Sequence, residues 1–333
     1  MKILLDKNKP FFKANLHCHS TYSDGKLTVD ELKDAYKKRG YSIIAFTDHE
    51  HVIDNSRLND EDFLAITSCE IAIKEFATQS TLKNFDMRVA HLNLYALDPH
   101  NDITPCYSSV YDHYITEQTA PLVRYNGEYE RRYSAEGINE IIRIANEAGF
   151  IVAYNHPSWS LENAVDYLAY DNLFAVEIYN TACVTHGGEE DERAFTDMLF
   201  AGKKIFCIAG DDNHNTRPFD DPACASFGGC VYINAEKLEY GVVMQALQKG
   251  DFYASTGAQI LSLVQDGDKV TVETTPCKRI DLVTHGRRRE YIYANAGESL
   301  TKATFTLREA DGFFRIRVED FKGKKAYSQA YYI

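Results

Sequence analysis

Seven short runs rich in β-branched and aromatic residues recur through the first three-quarters of the chain, and helical patterns separate them. Runs of this length and composition predict β-strands. The runs are FFKANLH, YSIIAFT, FLAITSCE, RVAHLNLYAL, FIVAYNH, FAVEIYN and KIFCIAG. Because strands that alternate with helices form βα units, the pattern predicts an α/β fold, and seven strand candidates favour a parallel barrel over an open sheet.

The pattern changes near Ser255, where alternating strands with tight turns replace the βα units. The turns are DGD at 266–268, ADG at 310–312 and KGKK at 322–325. The 333 residues also exceed the ~250–300 that one hydrophobic core usually supports. We therefore predict two domains: a barrel over residues 1–254 and a small β-sandwich-like accessory domain over residues 255–333.

One connection within the first domain has no clear periodicity. It runs from Asp98 to Arg132 and is rich in tyrosine. A connection of this length is typical of a functional lid or of a disordered insertion.

The chain is acidic, with a formal net charge of −13 and a pI of about 5.3. This charge disfavours stable binding to a nucleic-acid polymer or an anionic membrane, because such partners attract basic surfaces. No apolar stretch approaches the ~20 residues of a membrane span. The eight cysteines form no CxxC pair, and the N-terminus lacks the apolar run of a signal peptide. We expect a reduced, soluble, cytoplasmic protein.

Acidic and imidazole side chains recur at or near the ends of the predicted strands. His17 and His19 stand two residues apart in the first run and so share one face, although such a pair alone is often only a polar strand end. The other strand ends strengthen the metal interpretation, since the ends of parallel strands in a barrel form one face, where the site lies. The nine candidate ligands are His17, His19, Asp24, His49, Glu70, His91, His156, Asp212 and His214.

Nine ligands suit two or three divalent metals, because a catalytic metal usually takes about three protein ligands and keeps one position open. Glu70 and Asp212 are the natural shared carboxylates. Nitrogen and oxygen donors without thiolate fit manganese, iron or zinc.

The motifs HCHSTYSDG, TDHEH, NHP and GDDNH resemble the four motifs of the PHP (polymerase and histidinol phosphatase) domain. Glu70 and His91 stand where that family has intervening ligands, and the resemblance covers residues 12 to 254. The C-terminal part, with KGDFYASTG leading into it, resembles the subgroup of PHP proteins that append a small β domain, some of them named carbaryl-type metallohydrolases.

The resemblance implies a distorted (β/α)7 barrel with a trinuclear manganese, iron or zinc site that hydrolyses phosphoesters. It further implies three ligand sets, which are His17, His19, Glu70 and Asp212, then Glu70, His91 and His156, then Asp24, His49 and His214. The fourth motif departs from the family in having Asp211 where a Ser is common. The spacing favours Asp212 as the ligand, because it lies two residues from His214.

We expect a metal-dependent phosphoesterase acting on a small phosphorylated metabolite or nucleotide. A water that bridges two cations becomes hydroxide near neutral pH and attacks phosphorus in line. The candidate catalytic residues are Asp212, which would orient this water or accept its proton, and His49 and His214. The alternatives are a carboxyl or carbamate ester hydrolase with the same site, an exonuclease-like phosphodiesterase, and a non-catalytic module that keeps its metals for structure.

Four further residues have a functional and a structural interpretation. Arg217 is a candidate phosphate ligand or a surface ion pair, and His186 is a candidate for substrate binding. Glu177 suits the pocket or a buried structural hydrogen bond, whereas Trp159 suits stacking on a nucleobase or packing at the rim. The β domain is compatible with covering the barrel, pairing with a second copy in a homo-oligomer, or contacting a partner.

Overall fold

The computed structural model describes residues 1–75 and 87–333. Within these ranges the strands are β1 Lys2–Leu5, β2 Phe11–Cys18, β3 Ile43–Phe46, β4 Leu64–Lys74, β5 Val89–Ala96, β6 Ile103–Thr104, β7 Arg124–Tyr125, β8 Phe150–Tyr154, β9 Ala175–Asn180, β10 Phe206–Gly210, β11 Cys230–Asn234, β12 Phe252–Ser255, β13 Ile260–Asp266, β14 Lys269–Cys277, β15 Arg279–Thr284, β16 Arg289–Tyr293, β17 Leu300–Thr306, β18 Phe313–Glu319, β19 Lys325–Ser328 and β20 Tyr331–Tyr332. The α-helices are α1 Val29–Lys37, α2 Ala135–Glu147, α3 Ala164–Tyr167, α4 Thr181–Thr185, α5 Glu192–Phe200 and α6 Tyr240–Lys249. Short 3₁₀-helices span Ser56–Leu58, Ser109–Tyr114 and Glu309–Asp311.

Local sequence sets the helix limits. The Thr28 hydroxyl accepts the Glu31 N–H at 3.3 Å, and the Glu31 carboxylate accepts the Thr28 N–H at 2.9 Å. This reciprocal pair satisfies two N–H groups that have no partner within α1. The end of α6 is also set locally. This helix stops at Gly250, which adopts the left-handed conformation (φ 77°) that favours glycine. Among the described residues, no helix is long and apolar enough for a bilayer span.

All seven predicted strand runs form strands of one sheet, in the order β10-β9-β8-β5-β4-β3-β2. The prediction that they are all parallel is wrong at β5, which is antiparallel to both β4 and β8. The start of β5 therefore lies at the same edge as the C-terminal ends of the six other strands of this run. This reversal brings His91, the third residue of β5, to the edge where the other candidate ligands lie.

The sheet continues beyond the predicted strands. β11 pairs antiparallel with β2, and β12 joins β11 to β19, β18, β15 and β16. The opposite ends of the seven-stranded run nevertheless meet past β10. There the Asp212 N–H donates to the His17 carbonyl at 2.8 Å, and the His19 N–H donates to the Asn213 carbonyl at 3.2 Å. The fold is mixed α/β, and a closed barrel stays a prediction.

The C-terminal region consists of strands apart from one short 3₁₀-helix, and two sheets enclose its apolar core. β13, β14 and β17 form a four-stranded sheet with β1, which pairs antiparallel with β13. Leu5 of β1 is fully buried in the same apolar cluster as Leu263, Ile280 and Ile316. The first strand of the chain thus belongs to the C-terminal core, whereas the domain limits 1–254 and 255–333 stay a prediction.

The connection from Asp98 to Arg132 folds against the strand ends. Its two short strands, β6 and β7, pair with each other, and the 3₁₀-helix Ser109–Tyr114 lies between them in sequence. Arg131 is buried, and its guanidinium lies 2.5 Å from the Glu50 carboxylate and 2.8 Å from the Ala72 carbonyl. A buried ion pair and a backbone hydrogen bond therefore tie this segment to the edge that carries the candidate ligands.

A pair of substitutions in β1 tests whether this strand stabilises the C-terminal core. Leu5→Ala should lower the free energy of unfolding by about 2–4 kcal/mol, because a fully buried leucine loses its packing. Ile3→Ala, on the half-exposed face of the same strand, should change it by less than about 0.5 kcal/mol. Urea denaturation measures both, and equal effects would contradict the assignment of β1 to this core.

Candidate metal centre

The nine predicted ligands converge at one edge of the sheet, and Glu70 lies at their centre. One carboxylate oxygen, Oε1, lies 3.0 Å from His91 Nδ1, 3.3 Å from His17 Nε2 and 3.4 Å from His156 Nε2. The other oxygen, Oε2, lies 3.1 Å from His49 Nδ1. β4 carries Glu70 past the end of β3, so this buried carboxylate reaches imidazoles from four different segments.

Asp212 is the second shared carboxylate. Its Oδ1 lies 3.0 Å from His19 Nε2 and 3.3 Å from His17 Nε2. The neighbouring Asp211 points elsewhere: its carboxylate accepts the Tyr36 hydroxyl at 2.7 Å and the backbone N–H groups of residues 227–229. The structure therefore places Asp212 in the cluster and gives Asp211 a purely structural role.

Asp24 completes the cluster on the more exposed side. Its Oδ1 lies 3.3 Å from His214 Nε2, and its Oδ2 lies 3.8 Å from His49 Nε2. The loop that carries Asp24 is fixed by Asp48, whose carboxylate accepts the backbone N–H groups of Ser20 at 2.8 Å and Ser23 at 3.1 Å. Asp48, which directly precedes His49, thus positions a candidate ligand without being one.

Three sets of donor atoms are each close enough to bind one cation, with all atoms of a set within 4.8 Å of one another. The sets are His19, Asp24, His49 and His214, then His17, Glu70 and His156, then His17, His19 and Asp212. They overlap with the three sets that the PHP resemblance implies, but here His17 joins Glu70 and His156, and His19 joins Asp24. His91 contacts Glu70 and lies outside these sets.

The donor atoms fit divalent cations. His17 and His19 are fully buried, yet the carboxylate oxygens that lie 3.0–3.3 Å from their Nε2 atoms are not oriented for a hydrogen bond, and His19 Nδ1 also forms none within the described part of the chain. Buried polar atoms normally have a partner, and leaving one without costs about 1–3 kcal/mol. Cations bound by these nitrogens and the nearby carboxylates would satisfy them, and the mixture of imidazole and carboxylate suits manganese, iron or zinc.

The charges of the cluster shift its pKa values in opposite directions. Burial lowers the pKa of His17, but the Asp212, Glu177 and Glu70 carboxylates outweigh burial and raise it well above 6.5. Burial and the neighbouring imidazoles lower the pKa of His19 to about 4, so this ring is neutral at pH 7. A neutral ring offers a lone pair to a cation, whereas a cation at His17 must displace a proton, so metal binding is expected to release protons.

Glu177 is a residue of the site that the nine-ligand set omits. It is fully buried, and its Oε1 lies 3.1 Å from His17 Nδ1. Its Oε2 accepts the His156 backbone N–H at 3.3 Å and the Asn180 amide at 2.9 Å. A carboxylate at Nδ1 fixes the His17 ring so that Nε2 faces Glu70 and Asp212. The sequence signal was a single acid inside the apolar run FAVEIYN.

The predicted substrate-binding residues lie beside the cluster. Arg217 and His186 line a cavity of about 370 Å³ together with Asp24, Asp212 and His214. The Arg217 side chain is exposed and lies 3.2 Å from the Asp221 carboxylate, which agrees with the surface ion-pair interpretation. His186 is exposed at the end of α4. A role for either residue in substrate binding stays a prediction.

Two aromatic side chains flank the cluster. Trp159 is half-exposed, and its ring centroid lies 5.2 Å from that of His91 and 4.9 Å from that of His156. Tyr114, from the connection between Asp98 and Arg132, stacks on His49 with centroids 4.5 Å apart and an interplanar angle of 28°. The connection between Asp98 and Arg132 therefore supplies part of the wall of the site.

Comparison with known proteins agrees with this geometry. Residues 15–150 match the family model of the PHP domain, and this range includes His17, His19, Asp24, His49, Glu70 and His91. This part of the chain is similar to the PHP domain. A stretch of 41 residues is 44% identical to the DNA polymerase/3′-5′ exonuclease PolX of Bacillus subtilis (strain 168), which amounts to 12% of this chain and only 7% of the length of that relative.

Solved structures resemble this chain at low sequence identity. One is a two-domain protein from Bacteroides vulgatus ATCC 8482 containing a predicted PHP-like metal-dependent phosphoesterase, with 13% identity, 99% of this chain and 96% of that chain covered, and a TM-score of 0.45. Another is an amidohydrolase from Chromobacterium violaceum with bound sulfate and no metal, with 14% identity, 60% of this chain and 87% of that chain covered, and a TM-score of 0.37.

Glu177→Gln tests the positioning of His17. The amide keeps the size of the side chain but removes the charge behind His17 Nδ1, so metal affinity should fall about 10–100-fold. Asp281→Asn is a matched control, because Asp281 is a buried carboxylate held by Arg279 and Arg317 in the C-terminal region. Metal titration by calorimetry, with a melting curve for each variant, distinguishes the two, and unchanged affinity in Glu177→Gln would disprove the positioning role.

The Glu70 carboxylate predicts a pH dependence of the metal-free protein. Burial raises its pKa, but His91, His17 and His156 outweigh burial and hold it well below 4.5. A carboxyl group whose pKa is lower in the folded state than in the unfolded state stabilises the fold at pH values above its pKa in the unfolded state. This stabilisation is lost as the pH falls through its pKa in the folded state. Glu70→Gln in chelator should therefore lower the free energy of unfolding at pH 7 by about 3 kcal/mol. The difference from the unmodified protein should shrink below pH ~4, as measured by denaturation at each pH; a constant difference would contradict it.

Proposed function

We propose that this protein is a metal-dependent phosphoesterase that hydrolyses a small phosphate ester or nucleotide. The observation that carries the proposal is the cluster of six imidazoles and three carboxylates at one sheet edge, three of whose buried ring nitrogens form no hydrogen bond within the described residues. The match to the PHP domain family supports it. We also propose that the seven strands form a distorted (β/α)7 barrel, with the C-terminal strands as an accessory β domain.

His17, Glu70 and His156 would hold one cation, His17, His19 and Asp212 a second, and His19, Asp24, His49 and His214 a third on the more exposed side of the cluster. Two or three manganese, iron or zinc ions would supply charge neutralisation for phosphate oxygens and activation of water near neutral pH. Charge stabilisation of this kind is usually the largest single contribution to catalysis.

The side chains nearest the cavity are the candidates for proton transfer. The His214 side chain is 29% exposed and the Asp212 side chain 13%, whereas those of His17 and His19 are fully buried. Asp212 is oriented by the Asn180 amide, which donates to its Oδ2 at 3.1 Å. This bond fixes the carboxylate, so that Asp212 would orient the attacking water or accept its proton. His214 and His49 line the same cavity and would face the leaving group of a substrate bound there.

Phosphate release tests the proposal directly. The protein with added manganese should release inorganic phosphate from members of a panel of 5′-nucleotides, 3′,5′-bisphosphonucleotides and sugar phosphates. Asp212→Ala should reduce the rate at least about 100-fold, because it removes a shared carboxylate from the reacting centre. Asp34→Ala, which removes an exposed carboxylate from α1, is the control and should leave the rate unchanged.

The outcome also separates the alternatives. The metal-loaded protein could release no phosphate but hydrolyse a phosphodiester or 1-naphthyl methylcarbamate in an Asp212-dependent manner. The phosphomonoesterase proposal would then be wrong, and the site would be assigned to hydrolysis of that class of ester. Equal phosphate release by Asp212→Ala and the unmodified protein would show that this cluster is not the active site.

A further inference from the structure

A cavity of about 340 Å³ opens over the metal cluster and has two chemically different ends. One end consists of the candidate ligands. Lys74 marks the other end, and Ala72, Met87, Val89, Tyr114 and Trp159 line the cavity between the two. Cavities of this size suit small organic ligands, and a few charged groups at defined places in such a cavity set the orientation of the ligand. The far end therefore bears on which esters the site accepts.

The floor of the cavity follows from the alternation of side chains in β4. Glu70, Ala72 and Lys74 lie on one face of this strand, because every second side chain points the same way. At about 3.3 Å per residue, the Lys74 backbone lies about 13 Å along the strand from that of Glu70. The small Ala72 side chain between them leaves room above the strand, so the floor runs from a metal-binding carboxylate to an ammonium group.

Lys74 is held in place at the far end. Its backbone N–H donates to the Tyr111 hydroxyl at 3.2 Å, and its ammonium lies 5.3 Å from the centroid of the same ring. Glu50 also faces the cavity, but its charge is balanced by Arg131 at 2.5 Å. Among the described residues that line this cavity, Lys74 is the only lysine or arginine. This end therefore favours an anion.

The wall between the two ends is apolar and aromatic. Val89 lies directly across from Lys74 in the antiparallel register of β4 and β5, and Met87 lies just before β5. Trp159, the only tryptophan in the chain, keeps half of its surface exposed at this wall. An aromatic face left open beside a polar centre suits a flat apolar group, since such stacking contributes about 0.5–1.5 kcal/mol beyond the area it buries.

We propose that the preferred substrates are phosphate esters whose organic group is flat and apolar and carries a second anionic group. The ester phosphate would lie at the metal cluster, the flat group against Trp159 and Val89, and the second anion beside Lys74. This inference rests on the proposed function and specifies its substrate class. A carboxylate and a second phosphate share the chemistry that Lys74 recognises, and the test compares both.

Non-hydrolysable phosphonates test this arrangement without turnover. The probes are methylphosphonate, phenylphosphonate, 4-carboxyphenylphosphonate and benzene-1,4-bisphosphonate, titrated into the zinc-loaded protein by calorimetry. We expect phenylphosphonate to bind about tenfold more tightly than methylphosphonate, and each para-substituted anion to gain about another tenfold, equivalent to about 1.4 kcal/mol per step. The larger of the two gains identifies the preferred anion. Because Trp159 is the only tryptophan, its fluorescence should change on binding of the aryl probes.

Three variants assign the gains to residues. Lys74→Met should bind phenylphosphonate normally but should bind the two para-substituted probes no more tightly than phenylphosphonate. Lys74→Gln provides the same test if the methionine variant does not fold. Trp159→Ala should lose the gain of phenyl over methyl. Lys204→Met is the charge-matched control, since Lys204 is exposed just before β10, at the opposite end of that strand from Asp212, and it should bind all four probes normally.

Each outcome decides for or against the inference. Equal affinities for methylphosphonate and phenylphosphonate would overturn the aromatic wall, and a full anion gain in both Lys74 variants would overturn the role of Lys74. Absence of phosphonate binding by a protein that releases phosphate from esters would overturn the inference and leave the proposed function intact. Conversely, the expected ranking of phosphonates in a protein that hydrolyses no phosphate ester would keep the ligand site and refute the phosphoesterase.

Discussion

The Glu70 carboxylate, buried among imidazoles, is the interaction on which the site depends. It is almost completely buried, and its oxygens lie within 3.6 Å of five histidine rings from four segments of the chain. A buried charge is tolerated only when opposite charges and hydrogen bonds surround it. The positions of the surrounding strand ends are therefore constrained by one side chain, and the same constraint gathers nitrogen and oxygen donors that could hold cations.

The fold satisfies this constraint by combining two strand directions. β3, β8, β9 and β10 deliver ligands or their supports from C-terminal ends, whereas β5 delivers His91 from its start because it runs the other way. β4 extends past its parallel neighbour and uses the additional length to place Glu70 centrally and Lys74 farther out. One strand thus supplies both the Glu70 carboxylate and the Lys74 ammonium group at the far end of the cavity.

Sequence predicted those features that local patterns determine. The seven strands follow from apolar runs, and the clustering of the nine candidate ligands follows from polar residues at the ends of those runs. The direction of β5 was not predictable, because both directions give the same alternation of side chains and the choice depends on the connections. Glu177 and Lys74 acquire their positions from partners that are distant in sequence, such as His17 in β2 and Tyr111 in the long connection. β11 and β12 were also not predicted as strands, although they link the seven predicted strands to the C-terminal strands of the same sheet.

The pairing of β1 with β13 has a consequence for how the chain folds during synthesis. More than 250 residues separate the two strands, and the apolar face of β1 finds its partners only after the C-terminal strands have left the ribosome. Contacts between residues this far apart in sequence form slowly, because a long loop must close before they gain any energy. The N-terminal segment must therefore wait with an open strand edge until the last quarter of the protein has been made.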